Sequence, residues 1–392
     1  IPEDWEDIKI KDIVKVSQGL QIAIDDRFTT PAHNRVFYIT IPFIEGKKEE
    51  YIENPKSSTL CKKDDILVVR TGSGVGKIIR GVEGAFHNNF FKVKPSDNIN
   101  IDFFYYFLTS PRVQFLMAKY AGNSAIPDLN HGDFYSLDFL IPPLKEQEKI
   151  AEILTTWDEA ITKQTELLRA KELQKKGLMQ KLLSGEVRFS GFSDEWEEVR
   201  LSKIIKLQGG YAFKSEEFKK KGIPIIRISN ISNNSNYMEM NDLIYYDELS
   251  NESNFLIKKN DLLIAMSGAT TGKVSIYNLE KKAYLNQRVG LFKVIKPTLI
   301  NYSFLIQFVF SNFFSVQLKS LLVAGAQPNI SSKDIKSLKI KLPSLPEQRK
   351  IAEVLSLADD EINLLKNELE ELKQQKKALM QKLLTGQVRV KV

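Results

Sequence analysis

Residues 141–154 read IPPLKEQEKIAEIL, and residues 342–355 read LPSLPEQRKIAEVL. Each stretch places proline before a run of good helix formers, which is typical of the start of a helix. About 38 residues then follow without proline, until Gly185 or Gly386 ends the run. The sequence therefore predicts two long helices, each about 57 Å in length at 1.5 Å per residue.

An apolar stripe runs along both predicted helices. A seven-residue period favours pairing of the two helices, and polar residues within such a seam can fix its register. A long surface helix packed on its own globular domain is the alternative, but little other sequence lies nearby to cover it. One heptad position is occupied by Ile150, Trp157, Gln164, Lys171 and Leu178 in the first helix, and by Ile351, Ala358, Leu365, Leu372 and Leu379 in the second.

The rest of the chain is duplicated as well. EDWEDIKIKDIVKVSQG at 3–19 returns as DEWEEVRLSKIIKLQGG at 194–210, and KKDDILVVRTGSGVGK at 62–77 returns as KKNDLLIAMSGATTGK at 258–273. A spacing of about 190 to 200 residues is too long for a solenoid repeat. The sequence therefore predicts a tandem of two whole domains.

Each copy consists of a front part and a rear helix. Short strand candidates such as ILVVR, KVSIY and IPIIRIS, with one aromatic-rich helix candidate in each copy (101–119 and 301–321), predict an α/β front domain. The predicted fold class is α+β, with two α/β domains separated by an antiparallel coiled coil and related by a pseudo-two-fold axis. The predicted boundaries are 1–144 for the first domain, 145–186 for the central helix, 187–345 for the second domain and 346–392 for the C-terminal helix.

Two glycine-rich loops, RTGSGVGKII at 70–79 and MSGATTGKVS at 266–275, raise the question of a nucleotide-binding P-loop. That motif requires a glycine five residues before its Gly-Lys pair and a Ser or Thr after it. Thr71 stands at the first position and Ile78 at the second, and the second loop departs in the same two ways. A nucleotide-binding enzyme is therefore the weaker alternative.

Charge is distributed unevenly between the two copies. The net charge is +7, yet residues 187–345 contain 22 Lys and Arg against 14 Asp and Glu, whereas residues 1–144 contain 17 against 19. A basic domain indicates a polyanionic partner such as nucleic acid. The acidic balance of the first domain leaves open a coiled-coil scaffold that carries two protein-binding heads.

Other classes of site find little support in the composition. The single Cys61 permits no internal disulfide and favours a reducing cytoplasm. Three scattered histidines, His33, His87 and His131, do not form a zinc site with one cysteine. The apolar stretches are too short to span a membrane, and no signal peptide is visible.

The sequence resembles the specificity subunit of type I restriction-modification systems over essentially its whole length. The likeness rests on GGYAFKSEEF and GIPIIRISNI in the second copy, on PEQRKIAEVL and LMQKLLTGQVRV, and on the alternation of front domain and helix. It implies two target recognition domains that each contact one half of a split site in double-stranded DNA. The helix pair would then set the spacer and dock two modification subunits.

The same resemblance implies that this chain has no catalytic residue and no cofactor of its own. S-adenosylmethionine for adenine methylation would be bound by the modification subunits, and ATP with Mg²⁺ would be used by restriction subunits. A helix pair of about 57 Å spans one to two turns of duplex at roughly 34 Å per turn. The length of the helix pair would then fix the separation between the two half-sites. Unlike front domains would read unlike half-sites.

Candidate DNA-contacting residues follow from the loops and from the family pattern. Lysines that end glycine loops suit phosphate, Asn and Gln suit adenine, and Arg suits guanine. A hairpin with a solvated lysine, an Asn in a turn and a structural role at a strand end are the respective alternatives. The first domain has no counterpart of Lys214 and Ser215 in GLQIAIDDRF. The candidates are Thr71, Ser73, Lys77, Asn88 and Asn89 in the first domain, and Lys214, Arg227, Asn230, Ser267, Thr270, Lys273, Asn286, Gln287 and Arg288 in the second.

Overall fold

The computed structural model describes residues 2–72, 74–122, 125–231, 235–250, 254–322 and 329–391. Two compact units are present: residues 1–166 together with 367–392, and residues 167–366. Each of the two long helices therefore contributes one part to the first unit and the other part to the second. The predicted boundaries kept each long helix whole, whereas the boundary between the two compact units falls within both helices.

The described elements of the first unit alternate short strands with short helices. Its strands are β1 (Glu6–Lys9), β2 (Val14–Gln18), β3 (Arg35–Ile39), β4 (Tyr51–Glu53), β5 (Leu60–Cys61), β6 (Ile66–Val69), β7 (Ile78–Ile79), β8 (Gly84–Phe86), β9 (Phe90–Pro95) and β10 (Asp138–Ile141). Its helices are α1 (Ile41–Ile44), α2 (Ile101–Thr109), α3 (Pro111–Tyr120), α4 (His131–Tyr135) and the first part of α5 (Leu144–Ser184). Short 3-10 helices lie at Ile10–Asp12, Ile24–Asp26 and Ser57–Thr59.

The second unit contains the corresponding strands in the same order, and it has a 3-10 helix where the first unit has α1. Its strands are β11 (Glu197–Arg200), β12 (Ile205–Gly209), β13 (Ile223–Ile226), β14 (Ile244–Tyr246), β15 (Leu256–Ile257), β16 (Leu262–Ala265), β17 (Val274–Ile276), β18 (Ala283–Leu285), β19 (Val289–Val294) and β20 (Lys339–Leu342). Its helices are α6 (Tyr302–Val309), α7 (Asn312–Leu322), α8 (Ser332–Ser337) and the first part of α9 (Leu345–Leu384). Its 3-10 helices lie at Leu201–Lys203, Ser215–Glu217 and Ile228–Asn230.

The sheets of the two units match strand for strand. The first unit has the orders β1-β10, β2-β9-β6-β7 and β4-β3-β8-β5, and the second has β11-β20, β12-β19-β16-β17 and β14-β13-β18-β15. The pairing is antiparallel except between β3 and β8 and between β13 and β18, which are parallel. The predicted α+β class and the predicted duplication are both confirmed.

Central strands are apolar along their whole length because both of their faces are covered. All four residues of β6, ILVV, and all four of β16, LLIA, are buried. The aromatic residues of α2 complete the core of the first unit, where Phe103 and Phe104 are fully buried. The hydrophobic effect of these side chains thus holds the sheets against the helices.

The single aromatic-rich helix predicted in each copy is wrong, because each is broken into two. In the first unit Ser110 is extended (ψ 143°) before Pro111, whose ring disfavours helical backbone at the preceding residue. In the second unit α6 and α7 meet at an angle of 57°. The hydroxyls of Ser110 and Ser311 stabilise the two breaks by donating to the carbonyls of Phe107 (2.7 Å) and Phe308 (2.6 Å).

The described helices are short or too polar to resemble membrane spans. None of them singly has the length and apolar composition of a membrane span, and only the bent pair α6 and α7 meets that test when the two are joined.

The long helices pair antiparallel within each unit. In the first unit Asp158 and Gln164 of α5 bond to Lys376 (2.6 Å) and Glu368 (2.9 Å) of α9. In the second unit the polar seam residue Lys171 forms an ion pair with Glu361 at 2.6 Å. Partner numbers in α9 fall as those in α5 rise, so the predicted antiparallel pairing is confirmed. The residues of the two apolar stripes that become buried are Ile150, Leu154 and Leu182 in α5, and Ile351, Leu355, Ile362, Leu369 and Leu383 in α9.

The repeated Glu-Gln pair at each helix start is buried for a structural reason. The side chain of Gln147 donates to the carbonyl of Pro142 (2.9 Å) and accepts from the amide of Asn100 (2.8 Å). Glu146 accepts from the guanidinium of Arg389 (Nε, 2.7 Å) and from the indole of Trp5 (3.1 Å). Equivalent bonds join Gln348 to Pro343 and Asn301, and Glu347 to Arg188.

Candidate nucleic-acid interface

The two glycine-rich loops are hairpins that join antiparallel strands, β6 to β7 and β16 to β17. A P-loop leads from a strand into a helix whose N-terminus binds phosphate, so these loops do not have that architecture. Gly76 and Gly272 have positive φ (82° and 83°), and a side chain there would meet Met117 and Leu318. The glycines therefore serve the turn and its close packing on α3 and α7.

Three backbone segments meet beside the second loop. The amide of Met266 donates to the carbonyl of Arg288 (2.9 Å), and the amide of Ile330 donates to the carbonyl of Met266 (2.9 Å). Ser267 forms an isolated bridge with Asn329. We call this meeting point the second junction. It lines an open hollow formed by Met266, Ser267, Gly268, Ala269, Gln287, Arg288, Asn329 and Ile330.

The first unit has the same junction with different side chains. The amide of Arg70 donates to the carbonyl of Asn89 (2.7 Å), and the amide of Leu129 donates to the carbonyl of Arg70 (2.8 Å). Thr71 forms an isolated bridge with Asp128. We call this the first junction. The bonding pattern makes Arg70 the counterpart of Met266, Asn89 that of Arg288, and Asp128 that of Asn329.

Several predicted residues come together at the two junctions. Thr71, Asn88 and Asn89 lie at the first, and Ser267, Asn286, Gln287 and Arg288 lie at the second. Gln287 and Arg288 are exposed to solvent. Their amide and guanidinium groups are of the kinds that bond adenine and guanine edges.

Side chains just before each turn are engaged in holding it. The ring Nδ1 of His87 accepts from the amide of Asn89 (3.0 Å), and the carboxamide oxygen of Asn286 accepts from the amide of Arg288 (3.3 Å). Asn88 donates to the carboxamide oxygen of Gln21 at 3.1 Å. These bonds favour the structural interpretation for Asn286 and place Asn88 in a side-chain network.

Two predicted residues of the RISNI segment are tied into the structure. The buried side chain of Asn230 accepts from the amide of Arg227 (3.0 Å) and donates to the carbonyls of Glu239 (3.3 Å) and Asn241 (3.2 Å). The guanidinium of Arg227 donates to the carbonyl of Asp242 at 3.0 Å. These bonds favour a structural role for Arg227 and Asn230 over DNA contact.

The remaining predicted residues that the structure describes are not among those that form the hollow of the second junction. Lys214 pairs with Glu217 (3.4 Å) at a 3-10 helix, and the Thr270 hydroxyl donates to the carbonyl of Ile228 (3.2 Å). Lys77 is exposed at the end of its hairpin. Ser73 lies outside the described residues. Lys273 lines a separate hollow beside the long helices, together with Lys175, Asp359 and Lys366.

The sequence reasoning missed an ion pair at the first junction. The guanidinium of Arg70 contacts the carboxylate of Asp128 through Nε (3.0 Å) and Nη2 (3.2 Å). The signal was the similarity of IPDLN at 126–130 to QPNIS at 327–331, which extends the repeat into this segment. That similarity does not reveal that Asp128 pairs with Arg70, whereas the counterparts Asn329 and Met266 carry no charge. Among the described residues, no group of three or more His, Cys, Asp or Glu is placed to hold a metal ion.

Comparison with known proteins identifies the family to which this chain belongs. The family model described as type I restriction modification DNA specificity domain matches the chain twice, over residues 2–170 and 193–374. The chain therefore belongs to that family, and the resemblance noted in the sequence is confirmed. The duplicated units of the structure correspond to the two matched regions.

Individual relatives agree with this assignment. The chain is 29% identical to the type I restriction enzyme MjaVIII specificity subunit of Methanocaldococcus jannaschii, covering 100% of this chain and 94% of the relative. It is also 29% identical to the putative MjaX specificity subunit of the same organism, covering 100% and 95%. The S subunit of a type I restriction-modification system from M. genitalium shares the fold, with a TM-score of 0.62 and 19% identity over 97% and 96% of the two chains.

Proposed function

We propose that this chain is the non-catalytic DNA sequence-specificity subunit of a type I restriction-modification complex. Each unit reads one half of a bipartite target in double-stranded DNA, and its junction supplies the base contacts. The observation that carries this proposal is the pair of junctions, which share a backbone but differ in side chains. The second junction carries Arg288 and Gln287 at the positions where the first carries Asn89 and Asn88, so the two half-sites differ and the target is asymmetric.

Readout follows from the chemistry of the exposed groups. An arginine bonds the O6 and N7 of guanine with two parallel donors, and a glutamine bonds the N6 and N7 of adenine. Contacts from lysines and from backbone amides to phosphate orient the protein without reading sequence. We assign base reading to Arg288 and Gln287, and phosphate contact to Lys77.

The long helices provide the surface for partner subunits in this proposal. Large apolar side chains on them are exposed, with Leu173 at 70% and both Leu357 and Leu364 at 62%. Leu357 and Leu364 lie seven residues apart on one face of α9, which is a stripe suited to cover by another helix. Two modification subunits with S-adenosylmethionine dock there, and restriction subunits that use ATP and Mg²⁺ join the complex in the cytoplasm.

The test uses the chain assembled with its modification subunits. Arg288→Ala should reduce discrimination at one base pair of one half-site by about 1–3 kcal/mol, because a bidentate contact is lost. Arg200→Ala removes an exposed arginine from β11, which pairs with β20 and is not among the residues that form the second junction, and it serves as the matched control with no expected effect. A wild-type complex that binds all duplexes equally would contradict the proposal and favour a scaffold with protein-binding heads.

A further inference from the structure

We propose that Arg70 and Asp128 form the base-reading pair of the first unit and that their ligand is a guanine edge in the major groove. This inference rests on the proposed function and deepens it, because it assigns a base-specific group to the domain whose readers were least evident. The pair lies at the first junction, in the place that Met266 and Asn329 occupy in the second.

The geometry of the pair leaves the correct donors available. Asp128 engages Nε at 3.0 Å and Nη2 at 3.2 Å, which is the lateral edge of the guanidinium. Arginine has five N–H donors in a planar fork. The outer edge, formed by Nη1 and the second hydrogen of Nη2, keeps two parallel donors that match the O6 and N7 acceptors of guanine.

Asp128 orients the arginine rather than burying it. The side chains of Arg70 and Asp128 are 34% and 38% exposed, so the pair lies at the surface where a duplex can approach. A fork held by a carboxylate loses less conformational freedom on binding a base than a free arginine does. Asp128 is therefore a positioning residue, and Arg70 is the residue that contacts the base.

The comparison of the two junctions supports a reading role. In the second unit the arginine is Arg288, whose carbonyl accepts from the amide of Met266; in the first unit the arginine is Arg70, whose amide donates to the carbonyl of Asn89. The two arginines thus lie on different segments of the two equivalent junctions: Arg70 on the segment that corresponds to Met266, and Arg288 on the segment that corresponds to Asn89. Each junction presents a guanidinium, but at a different position, as two readers of unlike half-sites require.

A purely structural role explains the pair less well. The segment that carries Asp128 is already fixed by backbone bonds from Leu129 to Arg70 (2.8 Å) and from Gly72 to Pro127 (3.0 Å). Ion pairs with this degree of exposure contribute little to stability. In the second unit the amide of Ile330 donates to the carbonyl of Met266, as the amide of Leu129 does to that of Arg70. Methionine and asparagine, which cannot form an ion pair, stand there in place of Arg70 and Asp128, so this backbone bond forms without one.

The experiment replaces each residue with its counterpart from the second unit. Arg70→Met and Asp128→Asn are assembled with the modification subunits, and bound sequences are selected from duplexes in which every position is randomised. Arg70→Met should lower the preference for one G·C pair in one half-site by roughly ten- to a hundredfold, and leave the other half-site unchanged. Asp128→Asn should give a smaller loss at the same base pair, because an amide oxygen still accepts from the fork.

Two further variants separate the outcomes. Arg70→Lys keeps the charge but loses the fork, so it should retain overall affinity and lose the guanine preference. Arg112→Met, which alters an exposed arginine on α3, should change nothing. The inference is overturned if Arg70→Met leaves base preference intact, or if it weakens all sequences uniformly as loss of a phosphate contact would. A wild-type complex without any split preference would overturn the proposed function itself, whereas intact wild-type preference with a neutral Arg70→Met overturns only this inference.

Discussion

The ammonium nitrogen of Lys376 lies 2.6 Å from a carboxylate oxygen of Asp158, although 218 residues separate the two in the chain. The other oxygen of Asp158 accepts from the hydroxyl of Tyr106 at 2.8 Å. The second unit repeats this arrangement, with Asp359 bound by Lys175 and by the carboxamide of Gln307. Asp158 of α5 thus connects α9 to α2 in the first unit, and Asp359 of α9 connects α5 to α6 in the second.

Asp158→Ala should lower the free energy of unfolding of the first unit by about 1–2 kcal/mol, because a charged hydrogen bond is lost at a partly exposed site. The buried ring of Tyr106 keeps only Thr155 as a partner for its hydroxyl. Glu152→Ala is the matched control, since it removes an exposed carboxylate of α5 that pairs with Lys149. Denaturant unfolding of both variants checks this prediction, and equal effects would show that Asp158 does not join the elements.

Gly210→Ala should lower the free energy of unfolding by about 3 kcal/mol and displace the turn that presents Arg288. A β-carbon at position 210 would overlap the carbonyl oxygens of Leu285 and Asn286, so the backbone must shift. Gly209→Ala is the control from the next residue, where nothing lies within 4 Å of the added carbon. Its effect should stay within about 0.5 kcal/mol.

Chemical denaturation and sequence selection together test the glycine prediction. Gly210→Ala should lose stability and also lose preference at the second half-site, whereas Gly209→Ala should retain both. Equal stability of the two variants would mean that the close approach at Gly210 relaxes without cost.

Acidification should weaken the first unit selectively. Burial lowers the pKa of His87, and Arg27 lowers it further while Glu50 opposes the shift. Burial and Arg70 likewise lower the pKa of His131, against Asp128. In the unfolded chain both histidines titrate near 6.5, so below that pH the unfolded state binds protons first and the free energy of unfolding falls.

The stability from these two histidines is complete above the unfolded pKa and is lost as the pH falls below about 6.5 towards the lower folded values. Unfolding measured from pH 7.5 to 5.5 should show this loss for the first unit, because all three histidines of the chain lie there. The double variant His87→Asn, His131→Ser takes the residues of the second unit at both positions and should remove the slope. An unchanged slope in that variant would assign the dependence to other groups.

Much of the fold was predictable because the duplication shows most elements twice in the sequence, so a pattern seen in one copy could be checked in the other. The long helices followed from the repeated proline and Glu-Gln starts, and the pairing followed from the apolar seam. The break at Ser110 was missed because hydrophobic periodicity continues across Pro111, while the backbone restriction before proline prevails. In the second copy no proline marks the break at Ser311, so composition gave no local signal there.

The candidate site was predictable in its location and less so in its members. Thr71 and Ser267 were predicted from the repeated glycine loops, and Gln287 and Arg288 from the segment that follows the second loop; the structure brings them to the two junctions. Asn230 resembled a reader, but its amide satisfies three backbone groups, which depends on a fold that spacing alone does not reveal. The ion pair of Arg70 and Asp128 was missed for the same reason, since 58 residues separate the two in the chain.

Selection of bound duplexes from a fully randomised library, by this chain assembled with its modification subunits, tests most directly whether two units read two half-sites. Two short specified blocks of different sequence, separated by a constant number of unspecified base pairs, are the expected result. One continuous block, two blocks at variable separation, or no preference at all would contradict it.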